Sequence, residues 1–131
     1  MLLLGFSPVN VLADTQGHPA ENERMLRWVN TAAVTVELVI NNGRANLAGV
    51  VIGNTGVESI TGTAVLERVN ADGTTTHIHT WRDMRTNGST WLWESHRYVA
   101  RGHDYRFTLT AIVIRNGVSE TVSLSRTTRA N

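Results

Sequence analysis

The stretch Tyr105-Arg106-Phe107-Thr108-Leu109-Thr110-Ala111-Ile112-Val113, followed shortly by Asn116-Gly117, decides the fold. Tyr105, Phe107, Leu109, Ala111 and Val113 occupy every second position, the period of a strand with one buried face, and Asn-Gly supplies the positive φ angles of a tight hairpin. The same pattern continues on both sides. Val34, Val36, Leu38 and Ile40 alternate up to Asn41-Asn42-Gly43, and Ala45, Leu47, Gly49 and Val51 run to Asn54-Thr55-Gly56. Ile60, Gly62, Ala64 and Leu66 share a face before Asn70-Ala71-Asp72-Gly73. Thr74 to Trp81 reads as a polar fourth strand, Thr86-Asn87-Gly88 leads into Trp91-Leu92-Trp93, and a last strand carries Val118, Val122 and Leu124. About seven short strands, with both prolines outside them, predict an all-β chain folded as a single two-sheet antiparallel sandwich. A small barrel is the alternative. Tyr105 opens its strand just after Arg101-Gly102, the setting of a tyrosine corner whose hydroxyl returns to nearby backbone.

With 131 residues the chain suffices for one domain with a single core. Twelve arginines against eleven carboxylates give a net charge of +1, and the arginines are dispersed rather than gathered into a stripe, so no nucleic-acid partner is expected. The absence of cysteine excludes disulfides and thiolate chemistry, and the absence of lysine excludes Schiff bases, Ser–Lys dyads and P-loops. No cofactor is expected. Met1-Leu2-Leu3-Leu4-Gly5-Phe6 is apolar, and Val11 and Ala13 are the small residues a signal peptidase needs, so residues 1–13 read as a truncated signal sequence too short for a transmembrane span. Residues 14–29 read as a polar linker or short helix, and residues 30–131 as the sandwich domain. Secretion or display at the cell surface follows as an expectation.

The hairpin of Tyr105–Ala111 and Asn116–Thr121 resembles the penultimate hairpin of immunoglobulin-like and fibronectin type III-like sandwiches. With Ala45–Val51 and Ile78-His79-Thr80-Trp81, the layout from Arg27 onward also resembles small secreted β-sandwich proteins of Gram-positive bacteria. That resemblance implies secretion and a sandwich. It implies no catalytic residue.

Three sets of side chains are candidates for chemistry. Trp91 and Trp93 share a strand face and Trp81 belongs to the preceding strand, so the three indoles are expected to form a carbohydrate-binding platform edged by Arg82, Glu94 and Arg97, or else to fill the space between sheets. His77 and His79, two apart on a strand, are expected to project from one face about 7 Å apart, as metal ligands or around a hydrolytic site. Glu94 and His96 alternate similarly, but no nucleophile elbow or zinc-protease helix accompanies them. The function expected is a non-enzymatic secreted or cell-surface module, binding or structural, whose partner is a cell-wall or host glycan or a protein.

Overall fold

Residues 28–131 are described by the computed structural model, and the signal and most of the linker expected before them lie outside the described residues. Seven strands follow one another: β1 (Thr31–Asn41), β2 (Arg44–Gly53), β3 (Val57–Val69), β4 (Thr75–Asn87), β5 (Thr90–Tyr98), β6 (His103–Arg115) and β7 (Val118–Ala130). They form two antiparallel sheets, a three-stranded one in the order β1-β2-β5 and a four-stranded one in the order β4-β3-β6-β7. The sandwich expected from the period-two pattern is thus the fold. The first turn is built as its residues require, with Asn42 at φ 51° and Gly43 at φ 77°, the positive-φ pair that matches the twist of a hairpin.

One core lies between the sheets. Val34, Val36 and Leu38 of β1, Leu47 and Val51 of β2, Ile60 and Leu66 of β3, and Phe107, Leu109 and Val113 of β6 are all buried in it. These are the alternate residues picked out by the sequence, which fixes register, since a slip of one position would turn each of them outward. Tyr105 is 1% exposed and its hydroxyl donates to the Ala100 carbonyl at 2.7 Å, so the tyrosine corner is present. β4 runs six residues beyond Trp81, and two bulges in it accommodate extra residues opposite Leu66/Glu67 and opposite Gly62/Ala64.

Because three strands face four, the two sides of the sandwich close differently. On one side β1 lies along β7. There the Glu120 carboxylate accepts from the Val29 amide at 2.7 Å, the Asn30 amide at 3.0 Å and the Thr31 hydroxyl at 2.8 Å. The buried Asn30 carboxamide donates to the Val113 and Val118 carbonyls, and the Thr128 hydroxyl donates to the Leu38 carbonyl. On the other side β5 faces β3 and β4. That seam is aromatic.

Candidate functional site

The β4–β5 seam is built from the tryptophans. Trp91 on β5 is 2% exposed, and its indole fills the space that side chains at Gly49 and Gly62 would take: a Cβ on Gly49 would lie 3.2 Å from Cζ3, and one on Gly62 would overlap the ring itself. Its Nε1 donates to the Met84 carbonyl of β4 at 2.7 Å, so this ring both packs the core and ties the seam. Trp93, two residues on, turns to the same side and meets Trp81 of β4 edge-to-face, with centroids 5.2 Å apart and planes at 62°. Phe107 lies beneath Trp93 at 5.8 Å, and His79 stands against Trp81 at 4.5 Å. Trp81 and Trp93 pack against the core but are only partly buried.

The three indoles therefore come together, as their spacing suggests, but not as one flat platform. Trp91 is interior, and Trp81 and Trp93 form a corner open at the edge of the sandwich. Of the charged residues expected to edge them, Arg97 shares the Trp93 side of β5 by strand alternation, since both pair with the inward row of β2 at Ala45 and Gly49. Glu94 falls on the opposite, outer face, and Arg82 is exposed on β4 at a bulge.

The expectation for His77 and His79 is corrected by the same bulging. His77 pairs with Glu67 and His79 with the buried Leu66, so Ile78 is the extra residue and the two imidazoles are thrown to opposite faces. His77 Nε2 lies 2.7 Å from the Thr80 hydroxyl, while the His79 ring turns in against Trp81. Among the described residues no three His, Asp or Glu side chains group as metal ligands. Glu94 and His96 both face out from β5 and, with Glu37 and Ala48, line a shallow depression of about 360 Å³ on the outer face of the small sheet. Sequence reasoning missed Glu120, whose role as a receptor for the entering chain depends on a contact some ninety residues away in sequence. It also missed the edge of β5, where Leu92 is 71% and Tyr98 is 73% exposed.

No protein-family model matches this sequence, and no curated protein matches it. Among solved structures, a Bacteroides uniformis β-glucuronidase 2 covalently bound to cyclophellitol-6-carboxylate aziridine is similar over 76% of this chain, at 12% identity and a TM-score of 0.49. The chain spans only 13% of that protein's length. A Parabacteroides merdae β-glucuronidase is similar over 70% of this chain and 13% of its own, at 12% identity and a TM-score of 0.43. The solution structure of CsgH from R. palustris is similar over 70% of this chain and 88% of its own, at 16% identity and a TM-score of 0.37. Likeness at this level carries no argument about activity. What stands is an all-β module with a tryptophan-rich cluster, and no helix among the described residues is long and apolar enough to cross a membrane.

Proposed function

We propose that the chain is a non-enzymatic secreted or cell-surface sandwich module that works by binding, and that its binding surface is the β4–β5 seam. One observation carries this reading: Trp81 and Trp93 stay partly exposed, in edge-to-face contact, at the side of the sandwich held by rings rather than by a polar network. Indoles contribute most where they desolvate a partner, and here Trp93 rests on Trp91 and Phe107 while Trp81 stands against Trp93 and His79. Secretion is supported by the apolar opening segment Met1–Phe6 with Val11 and Ala13. A glycan partner would rest a sugar face on one wall of the corner, with Arg97 within the same row of β5.

The test is a titration with soluble cello-, chito- and xylo-oligosaccharides and with extended peptides, followed by the indole N–H resonances. A binding partner is expected to shift Trp81 and Trp93 while leaving Trp91 unchanged, and its binding is lost in Trp81→Ala and Trp93→Ala. A ligand that shifts neither indole, but titrates Glu94 and His96 on the outer face, would overturn the assignment to the seam.

A further inference from the structure

Two backbone hydrogen bonds that bracket β5 determine which way every amide along it points. The Gly53 N–H donates to the Ser89 carbonyl at 2.7 Å, and the Val99 N–H donates to the Gly43 carbonyl at 2.8 Å. Between them β5 pairs with β2 without a register shift. Antiparallel pairing alternates, so Trp91, Trp93, Ser95 and Arg97 exchange bonds with β2, and the N–H and C=O groups of Leu92, Glu94 and His96 point away from it. Among the described residues nothing pairs with that outer edge. The other edges are guarded: β4 carries two bulges, and β1 and β7 are bridged to each other through Glu120 and Thr128.

We infer that the outer edge of β5 accepts an extended strand from a partner polypeptide, one with apolar side chains in its inward row and a basic side chain beside Glu94. The inference rests on the reading of the seam as the binding surface and names its occupant. A strand added there extends the three-stranded sheet beyond β5, on the side where β5 meets β4. Its inward side chains fall on Trp93 and Trp81, and its outward ones fall between Leu92 and Tyr98, both largely exposed. The charge requirement comes from Glu94, which shares a cross-strand rank with Glu37 on either side of Ala48, two exposed carboxylates in one row.

The probes are heptapeptides of the pattern acetyl-Val-Thr-Val-Arg-Val-Thr-Val-amide, with Val, Leu or Tyr in the inward row, and the same peptides N-methylated at alternate residues. Binding is expected to slow hydrogen exchange at the Leu92, Glu94 and His96 amides and to shift the Trp81 and Trp93 indoles, with at least tenfold weaker binding after N-methylation. Replacing the peptide's Arg by Glu weakens it, and Glu94→Arg in the protein restores it. His96→Pro removes an outward N–H without touching the β2 ladder and is expected to weaken binding while the unfolding midpoint stays near that of the parent. If the indoles shift but the three amides exchange as in the free protein, strand pairing is overturned and the seam reading survives. If no peptide moves either set, strand addition fails, and an oligosaccharide that moves the indoles alone still keeps the seam. If the three amides are already protected in the free protein, residues 1–27 or a second copy fill the edge, and the inference is overturned.

Discussion

The two seams of this sandwich are closed by different physics. Along β1 and β7 the closure is polar: Glu120 accepts three hydrogen bonds, Asn30 donates two from a buried carboxamide, and Thr128 reaches the Leu38 carbonyl. Along β4 and β5 it is aromatic, with the Trp91 indole to Met84 carbonyl bond as its directional contact and four rings filling the rest. Directional bonds fail abruptly when partners separate, because each leaves a desolvated group unpaired, whereas ring contacts weaken gradually as one ring slides on another. The polar seam therefore fixes the entry of the chain. The aromatic seam leaves Trp81 and Trp93 partly exposed, which is why the candidate site is placed there.

The largest effect expected is at the ring that both fills the core and ties the aromatic seam. Trp91→Ala removes the indole over Gly49 and Gly62 and strands the Met84 carbonyl, and should lower unfolding stability in urea by about 3–5 kcal/mol. Gly62→Ala attacks the same packing from the other sheet and should cost about 1–3 kcal/mol by overpacking. Combined with Trp91→Leu, which vacates the space, it should cost less than the sum of the two. A strictly additive double variant would mean that the ring and the glycine do not share one volume.

Next in size comes the polar seam. Glu120→Ala removes the acceptor for two amides and a hydroxyl and should cost about 2 kcal/mol, with faster hydrogen exchange at Val29 and Asn30 and no change at Trp81 or Trp93. If the indole resonances move as well, the seams are coupled and the contrast between them is wrong.

Much of this architecture was legible in the sequence, and the parts that were not share a cause. Alternation in Tyr105–Val113 and the Asn-Gly turns define strands and register because those signals are local. Tyr105 could be read as a corner because its partner, Ala100, is five residues away. Gly49 and Gly62 stood in strand interiors, a sign of close approach, but only the folded sandwich shows that both make room for Trp91. The bulge at Ile78 carries no glycine or proline to mark it, so His77 and His79 were assigned one face when they occupy two. Glu120 looked like any polar residue of a final strand. Its work depends on the chain entering β1 at the far end of the sequence.

A smaller effect tests how loosely the aromatic seam is held. Trp81→Ala removes a ring that is already partly in solvent, so about 1 kcal/mol is expected, below Glu120→Ala even though more atoms are deleted. A loss exceeding that of Glu120→Ala would show that the aromatic side, not the polar one, sets the stability of the sandwich.

The smallest effect lies in the turn that feeds β4. The Asp72 carboxylate accepts from the Thr74 hydroxyl at 2.6 Å and the Thr74 amide at 3.0 Å, and these bonds hold its pKa below the ordinary 3.8. Because the folded value is the lower one, the stabilisation is present above the unfolded value and is lost as pH falls through the folded one. The carboxylate is fully exposed, so the loss should appear only locally, as fraying at Thr75 and Thr76 where β4 begins, in an NMR titration below pH 4. Thr74→Val should bring the Asp72 titration back toward its ordinary value. The Trp81 and Trp93 resonances should stay fixed through that change, since a seam held by rings does not depend on where its edge strand starts; movement of both with Asp72 would show that β4 answers as one unit from its turn to its indole.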